Sequence, residues 1–295
     1  MESIERLQRR IDSLQELQSI VRTMKALSAV SVQQYDQAVH SLADYYRTVE
    51  LGLNVVLGDV ADQPASNRQC PQNRQLGVII FGSDHGLCGR FNEEIADYVR
   101  RSMAALPAAA QGKRILAVGA RAAANLEHAG EVIEEDFQVP GSAARITATV
   151  QQILLKIDEW RTEKGIEEIY LYYNRHKEKG YQPTELQLLP VQLHEFRQRV
   201  GPWPSRRLPT YSMPRKQLLS ALLRQYFFVA IFRACAESQA SEHTSRLTAM
   251  QAADKNLGEK LEEITTLFHR LRQETITTEL LDIVSGYEAI VSGSH

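Results

Sequence analysis

Residues 4–14 read IERLQRRIDSL, and they begin a seven-residue repeat of apolar side chains that continues to Val56. With Ile4 at position a and Leu7 at position d, every a and d position is apolar or Tyr except Gln18, Lys25 and Ser28. No proline interrupts the first 57 residues. The pattern predicts one coiled-coil helix over residues 1–58, roughly 80 Å long.

The three exceptions lie together, and the apolar residues beside them stand one position earlier. These residues are Leu17, Ile20, Met24 and Leu27. Such an offset predicts a local shift of the contact seam along the helix.

A second apolar repeat occupies the C-terminal part, where no proline follows Pro214. Leu257, Leu261, Ile264, Phe268 and Leu271 step by four and three, and after a slip of one position Ile276, Leu280, Ile283, Tyr287 and Ile290 continue the stripe. This predicts a coiled-coil helix over residues 210–291. One antiparallel pairing of the two terminal helices would bury both stripes; the alternative is two separate helices, each bound to a different partner.

The middle of the chain alternates short apolar runs with helical patterns, which predicts a central α/β domain over residues 74–195. Strands are expected at 77–82, 114–119 and 168–173, with a fourth at an edge over 186–191. The proline- and polar-rich stretches 59–73 and 197–214 bracket this domain. The predicted fold class is therefore α/β: a Rossmann-like domain with a long antiparallel two-helix coiled coil.

Composition excludes several classes of protein. The 295 residues are 43% hydrophobic, which allows a sizeable core, and the net charge of -2 lacks the basic excess of a nucleic-acid binder. Cys70, Cys88 and Cys235 lie far apart, so we expect neither a disulfide framework nor a zinc site, and the chain reads as intracellular.

The apolar stretch 218–236 contains Arg224, Gln225 and Arg233, which predicts a protein-buried helix and not a membrane span.

The segment Gly82–Gly89 places Ser83, Asp84, His85 and Cys88 together directly after a predicted strand. It matches neither a dinucleotide fingerprint nor a P-loop, and a tight strand-to-helix turn explains it better than catalysis. We expect His176, His243 and His269 to be isolated and solvated, and Glu134–Glu135 and Glu262–Glu263 to be solvated faces. No catalytic, cofactor-binding or metal-binding residue is predicted, and no cofactor.

Three segments resemble one family, the gamma subunit of F-type ATP synthase. The first is the opening helix through Thr23-Met24-Lys25-Ala26-Leu27-Ser28-Ala29. The second is the loop Ser83-Asp84-His85-Gly86-Leu87-Cys88-Gly89-Arg90-Phe91-Asn92. The third comprises residues 237–243, Arg246, Met250-Gln251-Ala252-Ala253 and residues 272–279. The resemblance spans nearly the whole chain in the right order.

The resemblance implies a non-catalytic central rotor shaft that couples ion-driven rotation of the c-subunit ring to conformational change at the catalytic sites of beta subunits. The implied partners are three alpha and three beta subunits around the shaft, the epsilon subunit and the c ring, without nucleic acid. Membrane contact would be made only through the c ring. The implied location is peripheral, on the cytoplasmic face of the bacterial cell membrane.

The resemblance also implies site residues. Arg272, Gln273 and Thr277 would contact the catch loop of the beta subunit, with Met24 on the facing helix at nearly the same height. Gly86, Leu87 and Gly89 would shape a structural turn of the α/β domain at the foot of the shaft.

Two departures from the family's pattern indicate a divergent bacterial member. The usual basic run that follows the opening part of the first helix is here Ser31–Gln37, and Arg90 replaces the second glycine of the family's GLCGG. Two other functions stay open at this point: an autonomous α/β enzyme using the Asp84–Cys88 loop, and a coiled-coil adaptor unrelated to rotation.

Overall fold

A computed structural model describes residues 4–58, 75–106, 112–177, 180–191 and 209–292, with side chains to residue 286 at the C-terminal end. The predicted linker 59–73, most of 197–214, and the side chains of Tyr287 and Ile290 lie outside this description. The chain divides into two compact units, residues 1–27 with 247–295 and residues 28–246.

The helices are α1 (Ile4–Gly58), α2 (Phe91–Ala105), α3 (Ala120–His128), α4 (Ile146–Glu163) and α5 (Arg215–Ser292). The strands are β1 (Leu76–Phe81), β2 (Lys113–Val118), β3 (Ile133–Phe137), β4 (Glu168–Lys177) and β5 (Gly180–Leu189). The predicted fold class, with long terminal helices and an α/β domain between them, is confirmed.

The unit of residues 28–246 is a layered α/β structure. Its sheet has the order β3-β2-β1-β4-β5, parallel except for β5, which pairs antiparallel with β4 at one edge. Alternate residues of β1 point to opposite faces: Val78 and Ile80 pack with α2 and α3, whereas Ile79 and Phe81 pack with α4 and buried residues of α5. Both faces of β1 are covered, which explains its continuous apolar sequence.

The edge strand β3 was not predicted. Its sequence Ile133-Glu134-Glu135-Asp136-Phe137 has too little apolar character to be recognised as a strand. The expectation of a solvated face is also wrong for Glu134, whose side chain is only 15% exposed and accepts hydrogen bonds from Lys164, Trp160 and Arg114. Burial by itself would raise the pKa of Glu134, but the hydrogen bonds from Lys164, Trp160 and Lys156 outweigh it and lower the pKa to about 2.

The predicted buried helix over 218–236 is confirmed in this unit. Tyr226, Val229, Ala230, Ile231 and Cys235 are buried against protein. Tyr226 packs with Val49 and Leu53 of α1, so the two long helices pair here. Within the described chain, α5 from Arg215 to Gly286 is long and apolar enough to span a membrane by length and composition alone, but the burial of these side chains explains its apolar character.

The second unit pairs the first part of α1 antiparallel with residues 254–271 of α5. Leu7 and Ile11 form a cluster with Ile264, joined by Leu14, Leu267, Phe268 and Leu271. Toward the middle of α1, Arg22 and Lys25 both contact Asp254. The predicted antiparallel pairing is thus observed in this unit.

The predicted seam shift is wrong. Leu17, Ile20 and Leu27 are 50%, 51% and 64% exposed, whereas Lys25, at an a position, points toward Asp254. The heptad keeps its register because ion pairing satisfies the polar side chain at this seam position. The apolar residues beside the seam are left as an exposed stripe, Leu17, Ile20 and Leu27.

The predicted continuation of the seam beyond Leu271 is also wrong within the described side chains. Ile276, Leu280 and Ile283 are exposed, as are Leu281 and Val284. Leu271 packs with the cluster around Leu7 and Ile11, close to where α1 begins at Ile4. The final turns of α5 therefore extend past the helix that would cover them.

Candidate functional site

Arg272, Gln273 and Thr277, the predicted partner-contact residues of α5, all lie on an exposed part of the helix. A shallow groove of about 430 Å³ is lined by Gln273, Thr277, Arg270, Glu274 and Thr278. The hydroxyl of Thr277 donates to the backbone carbonyl of Gln273 at 2.8 Å. The surface thus presents the guanidinium groups of Arg270 and Arg272 and the amide of Gln273, which can pair with carboxylate or carbonyl groups of another protein.

The apolar side chains Ile276, Leu280, Leu281, Ile283 and Val284 follow on the same stretch of helix, and each is exposed. An α-helix that is apolar on more than one side is normally enclosed by protein or lipid. Together the polar and apolar residues from Arg272 to Val284 form a surface that we call the α5 tip.

Met24 does not lie at the height of Arg272, so that part of the prediction is wrong. Its neighbour Lys25 contacts Asp254, whereas Arg272 follows Leu271, which packs near Leu7 and Ile11. Asp254 and Arg272 are 18 positions apart on one helix, which corresponds to about 27 Å. Met24, half-buried beside the exposed Leu17, Ile20 and Leu27, belongs to a different level of the helix pair.

The loop between β1 and α2 is a tight turn, as expected. Leu87 has φ of 63°, unusual for a residue with a side chain, and Gly89 has φ of 59°. The side chain of Leu87 is exposed, and a Cβ added at Gly86 would lie 3.8 Å from the Arg121 guanidinium, an ordinary contact distance. The backbone conformation accounts for Gly89 directly, since this region favours glycine.

The polar side chains of this loop bind backbone and each other. Asp84 accepts the backbone N–H of Ala120 through Oδ1 at 3.0 Å and that of Val139 through Oδ2 at 2.9 Å. Asn92 donates to the Ser83 hydroxyl at 2.7 Å, and that hydroxyl donates to the His85 carbonyl at 2.8 Å. These hydrogen bonds hold the turn closed, and they give Ser83, Asp84 and Asn92 a structural role in the loop.

Cys88 is buried in the same loop, and burial raises the pKa of its thiol. A thiol of this kind stays protonated and is a poor nucleophile. With both oxygens of Asp84 occupied by backbone amides, these two residues do not form a nucleophile–base pair.

The serines and Arg246 of α5 fasten this loop and the neighbouring strands, which the sequence did not predict. Ser245 donates to the carbonyl of Cys88 at 2.6 Å, and Ser241 donates to that of Asn174, in β4, at 2.8 Å. The recognisable signal is three small hydroxyl residues, Ser238, Ser241 and Ser245, spaced by three and four on one face of an apolar helix.

A buried ion pair lies beside these serines. Arg246 Nη2 is 2.6 Å from Glu242 Oε1, and both residues are less than a tenth exposed. Burial raises the pKa of the Glu242 carboxyl, an effect that Arg246 and Gln239 counteract. Removal of either partner would leave a buried group unpaired, which is costly.

His243 is not solvated, contrary to expectation. Its ring stacks on Tyr35 with centroids 5.6 Å apart, and burial together with Arg246 lowers the pKa of His243 to about 4. His176 lies 3.8 Å from Asp36, so it is not isolated either. His269 is exposed, as are Glu262 and Glu263, as predicted.

Comparison with known proteins decides the family. A family model described as ATP synthase matches residues 3–290. The ATP synthase gamma chain of Geotalea uraniireducens is 30% identical over 299 residues, an alignment that covers 98% of this chain and 99% of that protein. The chain belongs to the ATP synthase gamma-chain family.

Other gamma chains agree with this result. The ATP synthase gamma chain of Caulobacter sp. strain K31 is 27% identical, with 98% of this chain and 100% of that protein covered. The fold is similar to a chain in the Euglena gracilis mitochondrial ATP synthase, OSCP/F1/c-ring, with a TM-score of 0.64 at 18% identity and coverage of 98% and 95%. Both comparisons span both terminal helices and the domain between them.

Proposed function

We propose that this gamma chain is the central rotor shaft of an F-type ATP synthase and couples ion-driven rotation of the c ring to conformational change at the catalytic sites of beta subunits. In this role it transmits torque and performs no chemistry of its own. The observation that carries the proposal is the α5 tip, a helix that exposes apolar and polar side chains with no covering residue among those described. Enclosure by a ring of other subunits would satisfy such a surface.

The proposed partners are the alpha and beta subunits, three of each around the shaft, the epsilon subunit and the c ring. The Euglena neighbour comes from a complex described as OSCP/F1/c-ring, and membership in the gamma-chain family supports the same setting for this chain. The chain would be peripheral to the membrane, on the cytoplasmic face in a bacterium, and would contact the membrane only through the c ring. The helical segments 1–58 and 210–291 would form the shaft, and residues 74–195 the foot.

Arg272, Gln273 and Thr277 are proposed to contact the catch loop of beta. Exposure leaves all three side chains accessible to a partner, and the guanidinium of Arg272 can make bidentate pairs with carboxylates. Met24 and the neighbouring stripe Leu17, Ile20 and Leu27 would contact the surrounding subunits about 27 Å away along the shaft, given the helical rise. We therefore propose contacts with other subunits at two heights along the shaft, one around Arg272 and one around Met24.

The test is co-expression with alpha and beta subunits from the same genome, followed by native mass spectrometry and an ATPase assay. We expect a complex of three alpha, three beta and one gamma chain that hydrolyses ATP. Absence of a complex with competent partners would contradict the proposal.

A matched pair of variants then tests the contact surface. Arg272→Ala should lower ATP hydrolysis by the assembled complex, because a charge-assisted contact to beta is lost. Arg100→Ala, which removes an exposed guanidinium in α2 of the α/β domain, is the control and should leave hydrolysis unchanged. Equal activities of the two variants would remove Arg272 from the contact set.

A further inference from the structure

The face of α5 that crosses the sheet edge contacts it through hydroxyl groups as well as apolar atoms. Ser238 donates to the carbonyl of Phe81, the last residue of β1, at 3.5 Å. The Ser241 hydroxyl lies 2.8 Å from the carbonyl of Asn174 in β4 and 2.8 Å from that of Glu237 in its own helix, and it shares its proton between them. Ser245 donates to the carbonyl of Cys88 in the following loop at 2.6 Å. Three serines on one helix thus reach two adjacent parallel strands and the loop between β1 and α2.

Arg246 extends the same row of contacts. Its Nη2 atom lies 3.4 Å from the carbonyls of His85 and Gly86 and 2.6 Å from Glu242 of its own helix. Glu242 in turn accepts a hydrogen bond from Gln239 at 3.1 Å. The carboxylate that pairs with Arg246 is therefore itself held in place. The arginine is buried, and its position is therefore fixed.

The loop that receives these contacts is itself rigidly closed. Asn92 bonds Ser83 through both its amide atoms, and Asp84 ties the loop to the first residue of α3 and to Val139. These bonds give a force applied to α5 at Ser245 and Arg246 a direct path to α2, α3 and the sheet through a loop that is held in place.

Hydrogen bonds between α5 and the sheet edge resist a movement that apolar packing resists weakly, namely sliding or twisting of the helix over the sheet. Dispersion and burial depend on area and tolerate small sliding of one surface over another. Hydrogen bonds weaken steeply when distance or angle changes. A twist of α5 about its own axis would break the bonds from Ser238, Ser241, Ser245 and Arg246 while keeping much of the apolar contact.

We propose that Ser238, Ser241, Ser245 and Arg246, with the carbonyls of Phe81, His85, Gly86, Cys88 and Asn174, form a joint that transmits torque between the α/β domain and α5. We call this set the sheet-edge joint. The inference rests on the proposed function, because it assigns a path for torque inside the rotor shaft. These residues position the two parts of the chain and touch no reacting atoms.

The experiment compares two activities of the same variants. ATP hydrolysis is measured in the complex of alpha, beta and gamma chains without a c ring, where torque need not leave α5. ATP-driven ion pumping is measured in vesicles that carry the full complex with its c ring. The variants are Ser245→Ala, the milder change, and Ser241→Ala with Ser245→Ala, which removes the hydroxyl contacts to Cys88 in the loop and to Asn174 in β4.

We expect both variants to assemble and to hydrolyse ATP at the wild-type rate without the c ring. Ions pumped per ATP hydrolysed should fall to less than about half in the double variant, with a smaller loss in Ser245→Ala, since hydrogen bonds within one network lose more together than singly. Ser245→Thr keeps the hydroxyl and should restore most of the ratio. Thr266→Ala is the control, because the exposed Thr266 hydroxyl bonds the Glu262 carbonyl of its own helix.

Three results would overturn the joint. One is an unchanged pumping ratio in the assembled double variant. Another is a parallel fall of hydrolysis and pumping, which would indicate general structural damage. The third is a failure of Ser245→Thr to differ from Ser245→Ala. A wild-type chain that forms no complex at all would instead contradict the proposed function, so the two failures are distinguishable.

Discussion

Lys25 Nζ lies 2.6 Å from Oδ2 of Asp254, at a heptad position where a coiled coil usually holds an apolar side chain. Arg22 Nε donates to the other carboxylate oxygen at 3.2 Å. Sliding of the helices by one heptad would separate these charges, so the pair favours a single register. The cost is a weaker apolar seam over this part of the helix pair.

Asp254→Asn should lower the melting temperature of the chain at neutral pH. The hydrogen bond from Lys25, helped by Arg22, lowers the pKa of Asp254 in the folded state. The stabilisation is therefore present above the unfolded pKa of the carboxyl and is lost as pH falls through the lower, folded pKa. Thermal unfolding followed by circular dichroism should show the variant and wild type converging in acid.

Asp282→Asn is the control for this change, because Asp282 is exposed on the same helix. Its melting temperature should match the wild type throughout. An Asp254→Asn curve that runs parallel to wild type at every pH would show that the ion pair does not contribute.

Ile264→Ala should destabilise the pairing of the two terminal segments. Ile264 is 4% exposed and packs with Leu7 and Ile11, so truncation leaves a cavity that costs about 2–5 kcal/mol. Ile283→Ala makes the same chemical change at a position that is 72% exposed, and its free energy of unfolding should stay near wild type. Urea titration of both variants measures the difference; equal values would contradict the packing described for Ile264.

Glu134→Gln should destabilise the α/β domain by about 1–3 kcal/mol at pH 7, because Lys156 and Lys164 would lose a charged partner. The folded pKa of Glu134, about 2, lies below the unfolded value of roughly 4.3. Its contribution is complete above the unfolded pKa and disappears between about pH 5 and pH 2. Denaturant unfolding at pH 7 and pH 3 should show a smaller pH effect in the variant, whereas Glu262→Gln, on an exposed position, should behave as wild type.

Gly119→Ala should strongly destabilise the junction between β2 and α3. Gly119 has φ of 116°, and an added Cβ would lie 2.7 Å from the backbone nitrogen of Ser83. The backbone cannot give way as a flexible side chain would, so we expect a loss of more than about 2 kcal/mol. Gly141→Ala, where a Cβ would meet no atom within 4 Å, is the matched control. Comparable melting temperatures for the two variants would refute this account.

The sequence predicted the parts of the fold that depend on local periodicity. The terminal helices and strands β1, β2 and β4 follow directly from apolar repeats. The edge position predicted for the fourth strand is confirmed, although β5 begins at Gly180, six residues before the predicted start at 186. Strand β3 was missed because Glu134 and Glu135 are paired with Lys156 of α4 and with Lys164 just after that helix, contacts that no local sequence pattern reports. Tertiary partners overrode propensity at that edge.

The site was predicted only in part for the same reason. Exposure of Arg272, Gln273 and Thr277 agrees with a contact surface, but the height of Met24 depends on the pairing register, which a single sequence does not specify. Lys25 and Ser28 looked like failures of the heptad, yet they occupy the seam while Leu17, Ile20 and Leu27 lie outside it. A polar residue at a seam position can be read correctly only once its partner, here Asp254, is known.

The α5 tip has a consequence for how the cell handles this chain before assembly. Five large apolar side chains between Ile276 and Val284 are exposed without a described cover. Chaperones and quality-control proteases recognise such surfaces, and free copies are prone to aggregate. We expect the half-life of the newly synthesised chain to depend on the supply of its partners, so that surplus orphan copies are degraded and subunit stoichiometry is corrected after translation.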